Sequence, residues 1–226
     1  MGTGKGRGKM IKFIRKLFLT GMTLVMLSAS AFAAGAVAQV DSVTYTEPDS
    51  KLVYPMVTGK DRDKAAKVSS AIRKDARIFM ERVWLDRLAG GTIKADMSYE
   101  TKINKADIVS FVVTETTSPE KAAHPTTNVK GYIFSMTEGR QLTLKDFDKV
   151  AETVHMADAY SLASINKALT KQLAAKGITP LPGFKGLKDR PSEIYLDSNM
   201  HLHALIQPME VAPYAAGIID VDLEDK

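Results

Sequence analysis

The chain has no cysteine. That excludes disulfides, a thiol nucleophile, thiolate zinc sites and a lipid-modified cysteine as tether. Stability in an oxidising compartment must therefore come from the hydrophobic core. Also missing are a glycine-rich phosphate loop, a Gly-x-Ser-x-Gly elbow and a His-Glu-x-x-His helix. No internal repeat, low-complexity linker or break in composition divides residues 39–226. No cofactor is expected from what remains.

The apolar run long enough to meet a membrane lies at the N-terminus. Lys5, Arg7, Lys9, Lys12, Arg15 and Lys16 form a basic segment without an acidic residue, and residues 17–27 are apolar. Ala31-Phe32-Ala33 and Ala36-Val37-Ala38 both fit a signal-peptidase site. This order is that of a secretory signal peptide over residues 1–38, with a mature N-terminus at Ala34 or Gln39. Met10 is an alternative start. An uncleaved anchor is the other reading, since residues 17–38 are long enough to span a bilayer, but the small residues of the second half favour cleavage. The expected location is exported, periplasmic or extracellular, with no stable membrane span after cleavage.

The leader also accounts for the charge. The whole chain carries 31 Lys+Arg and 26 Asp+Glu, for a net charge of +5, but six of the basic residues precede Gln39. From Gln39 onward the balance is 25 against 26, or −1. The basic character belongs to a segment expected to be removed, so it gives no argument for nucleic acid binding, and no nucleic acid partner is expected. The 188 residues that remain are enough to bury about 70% of their unfolded surface in one domain.

Residues 43–46 and 51–57 read as short strands around the turn Glu47-Pro48-Asp49-Ser50. Ala65, Val68, Ile72, Ala76, Phe79 and Val83 then recur on a 3.6-residue period, an amphipathic helix capped by Asp61 or Asp63 and ended by Gly90-Gly91. Trp84 lies beside this stripe, at the core edge. Residues 93–103 alternate apolar and polar, a strand with one wet face, and residues 108–116 return antiparallel to it. A third strand covers 129–136, and Thr143 with Asp146 makes a capping box for a short helix. Leu162, Ile165, Leu169 and Leu173 mark a second amphipathic helix over 158–176. Residues 178–191 read as loop, and 193–196 with 201–207 as a hairpin. A last strand turns Ile219, Val221 and Leu223 inward and Asp220, Asp222 and Glu224 to solvent. Strands in consecutive hairpins predict an α+β single domain, an antiparallel sheet with two main helices packed on one side.

Residues 207–217, Gln-Pro-Met-Glu-Val-Ala-Pro-Tyr-Ala-Ala-Gly, join the last two strands. Two prolines stiffen the segment, and Gly217 supplies a left-handed angle where the chain re-enters a strand. A stiff loop that carries Tyr214 and Glu210 orders at little entropic cost on binding, so Gln207, Glu210, Pro213, Tyr214 and Gly217 are candidate ligand contacts. The alternative is a structural crossover with Tyr214 on the core. This stretch resembles the signature of the RsiV-like extracytoplasmic domains, found in SigV-type anti-sigma factors and beside polysaccharide deacetylase domains. Their pattern, aromatic-Glu-Ile-Ala-Pro-Tyr-Ala-Ala-Gly, matches residues 210–217 with Val211 for Ile, and Met209 stands where an aromatic is usual. The resemblance also aligns Ala123-His124 with a Gly-Gly-Ala-His-Gly-like loop, with Pro125 in place of a glycine, and so adds His124 to the candidates. It implies an extracytoplasmic sensor or appendage; the anti-sigma member is a receptor for lysozyme.

Two functions from different classes follow. One is a secreted or periplasmic, non-catalytic recognition module of the cell envelope that binds a lysozyme-like protein or a cell-wall glycan such as peptidoglycan. The other is a metal-assisted hydrolase acting on cell-wall material. It rests on His201-Leu202-His203, whose imidazoles share one face of a strand, with His124 or Glu210 completing a site. Two histidines on a solvent face need no ligand, however, and the alternating acids at 220, 222 and 224 are read as a solvated face.

Overall fold

The computed structural model describes residues 36–225; residues 1–35, most of the expected leader, lie outside that range. The described elements are β1 (Gln39–Glu47), β2 (Ser50–Thr58), α1 (Arg62–Leu88), β3 (Ile93–Lys105), β4 (Ile108–Pro119), β5 (Thr126–Ser135), β6 (Arg140–Gln141), α2 (Leu144–Thr153), α3 (Leu162–Ala175), β7 (Ile194–Leu196), β8 (Leu202–Ile206) and β9 (Ile219–Asp222). The α+β class is as expected. The helical stripe of α1 is buried as its period requires, and Asp61 caps it by accepting from the Lys64 N–H. Thr143 and Asp146 form the capping box of α2.

Three finer features differ from the sequence expectation. First, the strands form two sheets, β1–β6 in sequence order and a smaller β7–β9. Second, β2 and β3 run parallel over Ser50–Leu52 and Ala95–Met97. The cause is α1: a long crossover helix returns the chain to the end at which β2 began. Third, the helices are not on one side. Tyr132 and Phe134 point into a core shared with α1, whereas Ile133, between them, points into a second core with α3 and the small sheet. Successive residues of a strand face opposite ways, so α1 and α3 lie on opposite faces of the large sheet.

A bulge lets β3 serve both cores. Its register against β4 shifts between Thr101 and Ile103. Ala95 and Met97 pack under α1, but after the extra residue Ile103 joins the second core. The shift also aims Asn104 back toward the first core. There its Nδ2 donates to the Ala38 carbonyl at 2.7 Å, while its Oδ1 accepts from the N–H groups of Val37 and Ala38, both at 3.1 Å. Ala38 is 1% exposed. The folded part thus begins before Gln39, inside the stretch read as leader.

The small sheet leans on the large one where β7 crosses β5. A Cβ on Gly131 would lie under 3 Å from three backbone atoms of Ile194, so only glycine admits this approach. Two predictions follow. A mature chain starting at Ala34 should unfold at higher denaturant than one starting at Gln39, because the shorter chain leaves the Asn104 amide without its partners; equal midpoints in parallel titrations would contradict the clamp. Gly131→Ala should lose about 1–3 kcal/mol by the same measurement, since the obstacle is backbone rather than a mobile side chain.

Candidate functional site

The chain leaves β8 at Ile206 and reaches β9 at Ile219, and the intervening loop is fixed by two tight turns and one buried stretch. The Gln207 N–H donates to Glu210 Oε2 at 3.3 Å, closing a tight first turn. Val211 and Ala212 are buried in the second core, and the Val211 carbonyl accepts from Leu181 N–H at 2.8 Å. Residues Tyr214–Ala216 form a 3-10 turn, closed by Ala216 N–H to Pro213 O at 2.8 Å and Gly217 N–H to Tyr214 O at 2.9 Å. Gly217 takes φ +67°, the positive angle expected of it, with open space around its α-carbon.

Tyr214 is half-buried, and it meets the other candidate that the resemblance singled out. Its hydroxyl donates to the Pro125 carbonyl, and its ring stacks on His124 with centroids 3.9 Å apart and an interplanar angle of 23°. His124 Nδ1 lies 3.0 Å from the same carbonyl. His124, Pro125 and Pro213 are exposed. Two segments distant in sequence thus present one stacked aromatic pair at the surface, with both rings referenced to a single backbone oxygen. Such a pair offers flat apolar area in a fixed orientation, the kind of surface that a ring or planar group of a ligand packs against.

Gln207 has a different place. Its Nε2 donates to the Val129 carbonyl at 2.8 Å and its Oε1 accepts from the Val129 N–H at 3.0 Å. The side chain reads one residue of β5 as a neighbouring strand would. Next along the same edge, Gly131 N–H donates to Glu193 Oε2 at 3.0 Å. Burial pushes the Glu193 carboxyl above its ordinary range, against the hydrogen bonds from Gly131 and Ser192. Glu193, Gln207 and Glu210 line a groove of about 410 Å³, together with Phe184 and Lys188 from the loop after α3. Sequence reasoning reached Gln207 and Glu210 but not the groove, since 178–191 read as loop and Glu193 as the start of a strand with no sign of its partner Gly131.

His201, just before β8, and His203 within it share a face, as their spacing requires, and each pairs with a carboxylate on β9. His201 Nδ1 lies 3.0 Å from Asp222 Oδ2, and His203 Nδ1 lies 2.9 Å from Asp220 Oδ1. The acids are therefore cross-strand partners and not simply a solvated face. Asp220 also accepts from the Tyr195 hydroxyl at 2.6 Å, and the Tyr195 ring stacks on His203 at 4.6 Å. The hydrogen bond to Asp222 raises His201 above the ordinary imidazole value. For His203, burial opposes protonation, but Asp220, Asp222 and Asp197 together prevail and raise it. Among the described residues no group of three His, Asp or Glu side chains stands in metal-holding geometry. The structure assigns these imidazoles to carboxylate pairing, while His124 belongs to Tyr214. A readable signal existed: His-x-His and Asp-x-Asp on strands that turn out to be neighbours.

No family model and no curated protein matches the chain. Among solved structures, the fold is that of proteins assigned to the DUF3298 family. A Bacteroides fragilis member shares 12% identity with a TM-score of 0.52, over 83% of this chain and 90% of its own. A Pseudomonas aeruginosa member shares 12% identity with a TM-score of 0.48, over the same proportions of the two chains. At this identity the likeness shows the fold alone.

The Gln207 geometry makes a prediction. Gln207→Ala leaves the Val129 N–H and carbonyl without partners and should cost about 1–3 kcal/mol. Gln207→Glu should do no better, because a carboxylate cannot donate to the carbonyl. Equilibrium denaturation of both variants checks this; unchanged stability would return Gln207 to the set of free ligand contacts.

Proposed function

We propose that the chain is an exported, non-catalytic recognition module of the bacterial cell envelope, and that the stacked Tyr214–His124 pair is the centre of its binding surface. The observation that carries this reading is that pair. Two rings from segments 89 residues apart at the Tyr214–Pro125 hydrogen bond are held at the surface by a carbonyl oxygen. Pre-ordered aromatic residues contribute most when they sit at the middle of an interface. The leader supports export, and the resemblance to RsiV-like domains supports a lysozyme-like protein or a cell-wall glycan as ligand. Pro213, exposed next to Tyr214, adjoins the pair, and Glu210 stands four residues earlier on the same loop.

The test uses immobilised lysozyme and insoluble peptidoglycan as separate matrices. Wild-type protein should be retained by one of them. Tyr214→Ala should weaken that retention by about 2 kcal/mol, roughly thirty-fold, while its unfolding midpoint stays near that of wild type. Retention by neither matrix, or equal retention of the variant, would refute the reading. A large loss of stability would instead make Tyr214 a strut of the loop.

A further inference from the structure

The two His–Asp pairs join β8 to β9, the strands from which the 207–217 loop springs. We propose that they form a proton-operated latch: with both imidazoles protonated β9 is held firmly to β8, and the strand pair loosens when they are neutral. The inference does not depend on what the loop binds.

The geometry supports a charged ring at 203. His203 has a carboxylate opposite each nitrogen, Asp220 at 2.9 Å from Nδ1 and Asp197 at 3.7 Å from Nε2. Nε2 is buried and has no hydrogen-bond partner. A neutral imidazole leaves one of these two carboxylates facing a lone pair; an imidazolium presents N–H to both. His201, the residue just before β8, repeats the pairing with Asp222.

The surroundings decide the sign. From β7, Tyr195 stacks on His203 and donates to Asp220. The β7–β8 turn brings Asp197, and β9 brings Asp220 and Asp222, with Glu224 beyond them. From β3, Lys102 stands 5.2 Å from the centre of the Tyr195 ring, and Glu100 acts on the same tyrosine. Lys176, at the end of α3, donates to the Asp220 carbonyl at 2.8 Å. The carboxylates outnumber the lysines, so neutral imidazoles leave Asp220 and Asp222 side by side on β9 with too little positive charge.

Because both histidines are raised above 6.5 in the folded chain, their contribution is complete below 6.5 and fades as pH rises through the folded values. Asp220 and Asp222 are lowered below 3.8, so their contribution is complete above 3.8 and fades in stronger acid. The latch is therefore closed between 3.8 and 6.5 and opens toward alkaline pH.

The experiment compares the full chain with the double variant His201→Gln, His203→Gln in EDTA, at about pH 5.5 and about pH 8.5. Wild type should lose roughly 2–4 °C or more of unfolding midpoint at the higher pH relative to the variant. Hydrogen exchange, corrected for intrinsic rates, should show the Ile219–Asp222 amides losing protection before those of β3 and β4. An identical pH response in both proteins would overturn the proposal. If the variant does not fold, NMR titration of the wild-type imidazoles decides: His201 and His203 should titrate above 6.5, and values at or below 6.5 would refute the latch.

Discussion

The structure depends on a hydrogen-bonding device used four times among the described residues. A side-chain carboxamide presents a donor and an acceptor with the same spacing as a peptide group, so it can pair with both groups of one backbone residue. Asn104 does this to Ala38, Gln207 to Val129, Gln172 to Asp222 and Asn166 to Leu187. Each target is a place where a strand edge or loop would otherwise carry an unpaired N–H and carbonyl next to the core, at a cost of about 1–3 kcal/mol per group. The four clamps tie Ala38, ahead of β1, to β3, the small sheet to β5, β9 to α3, and the loop after α3 back to α3.

These ties matter because the fold is two cores back to back. The large sheet is covered by α1 on one face and by the small sheet with α2 and α3 on the other. The Thr101/Ile103 bulge and the bare backbone of Gly131 make that arrangement possible. The bulge turns Ile103 to the second core while Ala95 and Met97 stay in the first, and the glycine lets β7 lie directly on β5. Hydrophobic burial alone would not fix the angle between the sheets; Gln207, Glu193 and the Ser110 hydroxyl, which accepts from Leu196 N–H at 3.0 Å, do so with directional bonds.

Local order was legible where a period governs it. The stripe from Ala65 to Val83, the alternation from Ile93 to Thr101 and the Thr143–Asp146 box could be read from spacing, because each is set by neighbours within a few residues. What escaped depends on partners far away. Alternation continues through Lys102 in the sequence, so the flip of Ile103 is visible only once β4 is in place. Gln207 reads as a free polar side chain because Val129 is 78 residues off. His201 and His203 read as a metal-like spacing or as a partly buried pair, and their carboxylate partners are visible only once β9 is laid beside β8. At the candidate site, Tyr214 and its stiff loop were legible from prolines and glycine, whereas the stacking of His124 on it required the third dimension.

The Gln207 clamp also sets an order of events. Until residue 207 has arrived, β5 has β4 on one side and an open edge at Val129 and Gly131 on the other, a template for pairing with any extended chain. The contacts that close this edge span 78 and 62 residues, and contacts of such long range form late. A chain that emerges N-terminus first would therefore pass through a stage with α1 packed and the β5 edge bare. That interval, in which the β5 edge can template non-native pairing, closes when the C-terminal third docks.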